Sequence, residues 1–183
     1  MTLTGTGQTI LQEISLGLNK LKAAQVDRLL VEIKTAKRIF CIGAGRSRIM
    51  LGAFCMRLNH LGIEAYVAGN IPCPPALKGD LIIAASGSGT TPSVISVLRR
   101  VKETGVRIAV VTASSVRDLA EIADLVVDIE APNGLINKDN QESPQLMRTL
   151  FEQILFILEE ALIAVLSENI PVEEIVTRHT NLE

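Results

Sequence analysis

Residues 80–91 read DLIIAASGSGTT, an apolar run that passes directly into a loop rich in glycine and hydroxyl side chains. The run 80–85 is mostly apolar on both faces, which is typical of a strand buried in a parallel sheet. Residues 38–47 read RIFCIGAGRS and show the same pattern, an apolar run followed by a loop with glycines and a serine. A helix-like segment follows each loop, so the two stretches predict strand–loop–helix units of a doubly wound α/β fold.

The rest of the chain continues this alternation. Runs rich in Ile and Val predict five strands near 38–42, 63–67, 80–85, 106–111 and 124–129. Helical spacing of apolar residues predicts helices at about 47–61, 91–104 and 116–122, and two N-terminal helices at 6–21 and 25–36. Right-handed crossovers then give a three-layer α/β/α sandwich, a single domain over residues 1–183 with a five-stranded parallel sheet in flavodoxin-like order.

The C-terminal part of the chain predicts a polar loop and a long helix. Residues 130–142 read EAPNGLINKDNQE, a mainly polar segment with three asparagines, one proline and one glycine, which fits either the margin of an active site or a mobile loop. Ser143 and Pro144 are interpreted as the N-cap and first-turn proline of the last long helix. Residues 146–166 are apolar around most of the helix, so we expect the sheet on one side and another subunit on the other.

Composition restricts the class of protein and of partner. The 183 residues carry a net charge of −2, which creates no field that attracts nucleic acid or an acidic membrane. Cysteines 41, 55 and 73 form an odd, scattered set, as in proteins with reduced intracellular thiols. The first residues lack the basic start and apolar stretch from which we would expect a secretion signal. Glutamates interrupt the apolar stretch 150–166, which argues against a membrane span. We expect a cytoplasmic protein without nucleic-acid or membrane partners.

The two glycine-rich loops predict a phosphate site. Both follow strands whose carboxyl ends meet at one edge of the sheet, where ligands of this fold bind. Glycines let the backbone turn closely around an anion, and backbone amides, helix N-termini and hydroxyls donate hydrogen bonds to it. The expected hydroxyl donors are Ser47, Ser86, Ser88 and Thr91. The alternative is that these side chains only cap the helices that follow.

Nucleotide and metal sites are weaker interpretations. Gly43 and Gly45 begin a dinucleotide fingerprint, but Arg48 stands where the third glycine belongs, and no acid ends the second strand to hold a ribose. The lysine of a nucleotide P-loop is missing too. Two histidines without clustered acids do not predict a metal site. We therefore expect no cofactor.

Several motifs together resemble one enzyme family. They are GAGRS at 43–47, MRLNHLG at 56–62, the loop 86–91, LFEQ at 150–153 and RHTNLE at 178–183. With these motifs, which span essentially the whole chain, the sequence resembles the 6-phospho-3-hexuloisomerases, single sugar isomerase (SIS) domains. The resemblance implies a tetrameric, metal-free enzyme that interconverts D-arabino-3-hexulose 6-phosphate and D-fructose 6-phosphate in the ribulose monophosphate route of formaldehyde fixation.

The resemblance also implies two catalytic residues. Glu152 is then the base that moves a proton between adjacent carbons through a cis-enediolate, and burial would raise its pKa. Taken alone, this glutamate more often belongs to a solvated strip with Glu159 and Glu160. His179 is then a residue that shifts protons between the carbonyl oxygens or opens the sugar ring, whereas a lone histidine near a C-terminus is usually on the surface. His60 is interpreted as structural.

The implied substrate-binding residues lie in the two loops: they are Gly45, Arg46, Ser47, Ser86, Gly87, Ser88 and Thr91. Arg46 serves either the substrate or a salt bridge. The tail 169–183 carries too few apolar residues to pack alone. We therefore expect the tail to bring His179 into the active site of a neighbouring subunit.

Two arginines depart from the family pattern and are candidate pocket modifiers. Arg48 and Arg148 each stand where the family usually has glycine. A cation at a helix N-terminus, as at Arg48, is unfavourable unless an anion is present. Arg148 lies one helical turn before Glu152 and would lower the pKa of the base by pairing with it. Alternative functions are therefore an SIS isomerase for another phosphosugar and a non-catalytic sugar-phosphate sensor in which Glu152 is dispensable.

Overall fold

The structure is a computed structural model, and it describes residues 2–114, 117–131 and 143–182. Most of the loop 130–142 therefore lies outside the described residues. Within the described residues, no helix is both long and apolar enough to cross a membrane.

Five parallel strands form one sheet. They are β1 (Ile39–Gly43), β2 (Ala65–Val67), β3 (Leu81–Ser86), β4 (Arg107–Thr112) and β5 (Leu125–Asp128). Their order is β2-β1-β3-β4-β5, and the register pairs Cys41 with Ile83 and Ile83 with Ala109. The predicted five-stranded parallel sheet in flavodoxin-like order is confirmed, and the direction of winding reverses between β1 and β3, where such folds bind ligands.

Seven helices surround the sheet in the described part of the chain. They are α1 (Leu3–Asn19), α2 (Ala23–Thr35), α3 (Gly45–His60), α4 (Pro92–Lys102), α5 (Arg117–Ile122), α6 (Thr149–Ser167) and α7 (Val172–Thr177). The predicted three-layer sandwich with two N-terminal helices and a long C-terminal helix is confirmed. The short helix α7 was not predicted from the sequence pattern.

The core consists of two apolar layers, one on each face of the sheet. Every residue of the central strand β3 is buried between them. Leu81, Ile83 and Ala85 face the layer that contains α2, α3 and α6, whereas Ile82 and Ala84 face α4 and α5. A strand covered on both faces must be apolar at successive positions, which accounts for the run in the sequence. The carboxyl ends of β1 and β3 are thereby fixed side by side, with α3 and α4 leaving on opposite faces.

The predicted start of the last long helix is wrong. The helix begins at Thr149 and not at Ser143. The Ser143 hydroxyl accepts a hydrogen bond from the Gln145 backbone N–H, and the buried Gln145 side chain donates to Glu13 of α1 at 2.6 Å. Met147 then takes a positive φ of 59°, which interrupts helical geometry. Tertiary contacts and this turn delay the helix beyond Pro144.

Candidate active site

The phosphate loops lie together at the carboxyl ends of β1 and β3. Gly45 has φ 57° at the start of α3, a conformation that glycine adopts without strain. Ser47 and Ser86 are buried, and Ser88 is half-buried. The Ser86 backbone carbonyl accepts hydrogen bonds from the Thr112 hydroxyl at 2.7 Å and from the Gly89 N–H at 3.0 Å. The second loop is therefore anchored to β4 before α4 begins.

The loop hydroxyls contact one another instead of capping α4. Thr91 is the N-cap residue of α4, but its side chain makes no capping hydrogen bond. Its hydroxyl shares a hydrogen bond with Ser86 at 2.9 Å and a longer one with Ser88 at 3.4 Å. The alternative that these side chains act only as helix caps is therefore wrong for Thr91. A cluster of hydroxyls beside an uncapped helix N-terminus suits an anionic ligand.

A cavity of about 200 Å³ opens between these loops and α6. It is lined by Ala44, Gly45, Arg46, Ser47, Ala85, Ser86, Gly87, Ser88, Thr91, Met147, Arg148 and Glu152. Helices α3, α4 and α6 all begin here, and none of their N-termini has a side-chain cap. Uncapped amides and three helix dipoles give the cavity a positive potential. The structure thus brings together every predicted loop residue, Glu152 and Arg148.

Glu152 combines burial with a neighbouring cation. Its side chain is 16% exposed, and its Oε2 lies 2.5 Å from Nη2 of Arg46. Burial raises the pKa of Glu152 above its ordinary value, and the charges of Arg46 and Arg148 offset only part of this effect. The predicted direction of the pKa shift is confirmed. A carboxylate whose pKa is raised by burial within a cavity is a candidate general base.

Arg46 lines the cavity and forms the predicted salt bridge, with Glu152, while its contact with a substrate stays a prediction. Its Nη2 also donates to the Thr149 hydroxyl at 2.9 Å, and that hydroxyl donates to the Leu146 carbonyl. Thr149 therefore orients Arg46 from the first turn of α6. Thr149 and Met147 were not predicted as site residues, although they flank Arg148 in the motif that precedes LFEQ, because a positive φ at methionine has no sequence signal.

Gly87 and Arg148 fit against each other in the cavity wall. A Cβ added at Gly87 would lie 2.9 Å from Cδ of Arg148 and 3.1 Å from the Phe151 ring. Gly87 therefore allows α6 to approach the phosphate loop closely. Arg148 also lowers the pKa of Glu152 through its charge, as expected, although the ion pair of Glu152 described above is with Arg46.

Arg48 lies outside this cavity. Its guanidinium donates to the Ala68 carbonyl at 3.0 Å and to the Asn70 side chain at 2.5 Å. Together with Arg100 it lines a neighbouring cavity on the α4 side of β1. These acceptors offset the unfavourable position of a cation in the first turn of α3. The structure thus places only one of the two candidate pocket modifiers at the site.

His179 does not line the cavity of its own chain. Its ring lies 5.1 Å from that of His60, centroid to centroid, and His60 is the last residue of α3. Because α3 starts at the cavity and has 16 residues, its two ends are about 22 Å apart at 1.5 Å per residue. Within one chain, Glu152 of α6 therefore lies near the start of α3, and His179 lies near its end.

The described residues contain no group of three or more His, Cys, Asp or Glu side chains that could hold a metal ion. The donors in the cavity are hydroxyls, amides and arginines, with a single carboxylate. This set is chemically suited to an anionic ligand and to a proton transfer by one carboxylate.

Comparisons with known proteins point to one family. The SIS domain family matches residues 32–138. The chain is 38% identical to the 3-hexulose-6-phosphate isomerase of Mycobacterium gastri, with 99% of this chain and 92% of that protein covered. It is 34% identical to the enzyme of that name from Bacillus subtilis, with 95% of each covered.

A solved structure gives the same result. It is a Methanococcus jannaschii protein for which a 3-hexulose-6-phosphate isomerase function has been inferred. Its TM-score with this chain is 0.83 at 32% identity, and 96% of this chain and 98% of that chain are covered.

Proposed function

The chain belongs to the SIS-domain family of 3-hexulose-6-phosphate isomerases, and we propose that it interconverts D-arabino-3-hexulose 6-phosphate and D-fructose 6-phosphate with Glu152 as the base. One observation carries the assignment of Glu152. Its carboxylate lies in the same cavity as both phosphate loops, and burial raises its pKa. We further propose that the enzyme is cytoplasmic and serves the ribulose monophosphate route of formaldehyde fixation.

The reaction needs one base because the two carbons are adjacent. Glu152 removes the proton from C3 of fructose 6-phosphate, and the electron pair forms the C2–C3 double bond of a cis-enediolate. The same carboxyl group then returns the proton to C2. The proton of the C3 hydroxyl passes to the oxygen on C2, so that the carbonyl ends at C3. No redox partner is involved, and all atoms are retained.

The phosphate group is the anchor in this proposal. Ser47, Ser86, Ser88 and Thr91 donate to it together with the backbone amides at the starts of α3 and α4. Arg46 lies beside both the sugar and Glu152. Its cationic charge stabilises the enediolate that forms when Glu152 takes the proton.

We assign His179 to the active site of a neighbouring subunit in a homotetramer. The contacts of α3 support this assignment: the helix starts at the phosphate cavity and holds His179 at its other end. Ile49 and Met56, seven residues apart on α3, are 64% and 50% exposed. A two-fold axis perpendicular to α3 at this apolar face would set two α3 helices antiparallel, which would bring His179 of the partner subunit to the cavity.

Arg148 favours a second candidate function, isomerisation of another phosphosugar. It fills part of the cavity wall beside Gly87, at a position where the resemblance leads us to expect glycine. A longer side chain there reduces the space for the sugar carbons. A comparison of kcat/KM for pentose, hexose and heptose phosphates shows whether the hexulose phosphate or another phosphosugar is the preferred substrate.

Matched substitutions test the assignment of base and anchor. We expect Glu152→Gln to bind fructose 6-phosphate but to lose at least about a hundredfold in kcat, the lower range for removal of a general base. Ser88→Ala with Thr91→Ala should instead weaken binding, since each hydrogen bond to a charged group contributes about 1.5–3 kcal/mol. Calorimetry and turnover are measured on both variants. A Glu152→Gln variant with the parental kcat would contradict the assignment of Glu152 as the base, whereas tight binding by a wild type without turnover would indicate a phosphosugar sensor.

A further inference from the structure

The tail is docked on the C-terminal end of α3 by Arg178. Its guanidinium donates to the His60 carbonyl at 3.4 Å and pairs with Glu174 of α7 at 3.1 Å. It also lies against Gly62, where a Cβ would be 3.2 Å from the guanidinium carbon. Gly62 has φ 81°, so both its backbone and the lack of a side chain make room for Arg178.

The ring of His179 is oriented by local hydrogen bonds. Its backbone N–H donates to the Val176 carbonyl at 3.1 Å, and its Nδ1 lies 3.1 Å from the Thr180 carbonyl oxygen. A carbonyl oxygen only accepts, so this contact requires the proton on Nδ1. In the neutral ring Nε2 is then the free acceptor, the form that can take a proton from a substrate hydroxyl.

His60 supplies the surface beside that ring. It is 6% exposed, and the two imidazoles are tilted by 33° at a centroid distance of 5.1 Å. Burial, together with the nearby His179 and Arg57, lowers the pKa of His60. A neutral His60 does not repel His179 when the latter becomes protonated during proton transfer.

We propose that His60 is a positioning residue for the isomerase reaction, because its buried ring holds His179 in the orientation in which Nδ1 donates to Thr180 and Nε2 accepts. The proposal rests on the function assigned to His179 above. It gives the His-Leu-Gly sequence at 60–62 a specific role: the histidine supports the catalytic ring, and the glycine admits Arg178.

A double-mutant cycle separates positioning from general support of the fold. We expect His60→Ala to lower kcat by roughly tenfold to a hundredfold, the scale of a small misplacement of a catalytic group. KM for fructose 6-phosphate should stay within about twofold, because the phosphate anchors are untouched. His60→Phe keeps a ring at this place and should recover most of the lost kcat.

The cycle is completed in a His179→Asn background. If His60 acts through His179, His60→Ala should cause no further loss of kcat there. An equal loss in both backgrounds would overturn the proposal and make His60 a structural residue. A parental kcat for His179→Asn would overturn it too, together with the role of His179, while Glu152→Gln tests the base independently.

NMR provides a readout that does not depend on turnover. The chain has two histidines, so in His60→Phe the only imidazole signals are those of His179. Long-range ¹H–¹⁵N spectra of the wild type and of His60→Phe should show His179 protonated at Nδ1, and His60→Ala should show a mixture of tautomers. A wild-type His179 protonated at Nε2 would overturn the proposal, and so would an unchanged Nδ1–H form in His60→Ala.

Discussion

Glu152 illustrates, at the scale of single residues, how opposing environments set a pKa. Burial favours the neutral acid, while Arg46 and Arg148 favour the carboxylate, and burial has the larger effect. The result suits a group that must accept a proton from carbon and give it back, since a base with a raised pKa holds the proton more strongly. Substitution of either arginine should therefore shift the pH at which kcat rises on the acidic side of the pH profile.

Arg148→Gly should move the acidic limb of the kcat profile to higher pH. Loss of this cation raises the pKa of Glu152, and the base is active only when it is deprotonated, so activity should appear later as the pH rises. Arg48→Gly is the matched control, because its guanidinium is bound to Ala68 and Asn70 outside the cavity. An unshifted limb in Arg148→Gly, or the same shift in both variants, would contradict this account of Glu152.

Local motifs predicted part of the site and could not predict the rest. The hydroxyls of the phosphate loops follow from strand ends and glycines, which are contiguous in sequence. Glu152 could be placed there only through the resemblance to a family, because α6 reaches the loops from a distant part of the chain. The Arg46–Glu152 ion pair and the turn at Met147 depend on tertiary packing, and no spacing in the sequence specifies them.

Helix packing at the scale of elements depends on a glycine in α1. Gly17 is buried, and a Cβ at this position would lie 2.2 Å from Cδ1 of Ile154 in α6. Ile154 is 0% exposed, so it has little room to move away. Gly7 of the same helix has no atom within 4 Å of an added Cβ. Gly7 therefore provides a control for Gly17, because it lies in the same helix but is not closely packed.

Gly17→Ala should destabilise the fold by about 1–3 kcal/mol, the usual effect of extra atoms in a packed core. Gly7→Ala should be neutral or stabilising by up to about 1 kcal/mol, because alanine favours a helix and nothing obstructs it. Thermal unfolding at one fixed protein concentration measures both. Equal shifts in melting temperature for the two variants would show that Gly17 does not control the contact between α1 and α6.

Glu159 on α6 should make stability depend on pH. It is 3% exposed, and burial, with a smaller effect from Glu160, raises its pKa from 4.5 to about 9. In the unfolded chain this group ionises at low pH, whereas in the folded chain it keeps its proton. Its contribution to stability is therefore greatest at a pH below the pKa that Glu159 has in the unfolded chain. The contribution declines as the pH rises towards the folded-state pKa of about 9.

Glu159→Gln removes that titration. We expect the variant to lose less stability than the wild type between pH 5 and pH 8.5, and to be the more stable of the two at the alkaline end. Glu168→Gln, at the exposed end of the same helix, is the control and should follow the wild type. Denaturant unfolding at several pH values gives the comparison, and parallel curves for Glu159→Gln and the wild type would contradict the assigned pKa.

The strands were easier to predict than the start of α6 for a physical reason. A buried parallel strand must be apolar at every position, so its sequence is distinctive over a few residues. The signal at Ser143 and Pro144 is equally typical of a turn, and here the buried contact of Gln145 with Glu13 fixes a turn. Local capping preferences of about 1 kcal/mol are readily outweighed by such tertiary contacts.

At the scale of the whole molecule, the separation of Glu152 and His179 has a direct test. Glu152→Gln and His179→Asn subunits are mixed by co-refolding, and hybrids are verified by mass spectrometry. If each site takes its histidine from the neighbouring subunit, some sites in the hybrids contain both wild-type residues, and activity should return. Inactive hybrids would show that the site is not shared and that His179 acts within its own chain or not at all.

The most direct test of the proposed isomerase follows hydrogen exchange on fructose 6-phosphate in D₂O by NMR. We expect deuterium at C3, formation of the 3-keto isomer with deuterium at C2, none at C1, and loss of all exchange in Glu152→Gln. Deuterium at C1 would contradict the account, because it marks an enediolate between C1 and C2. Tight binding of the sugar phosphate with neither exchange nor isomer would contradict it equally, and would identify a sensor.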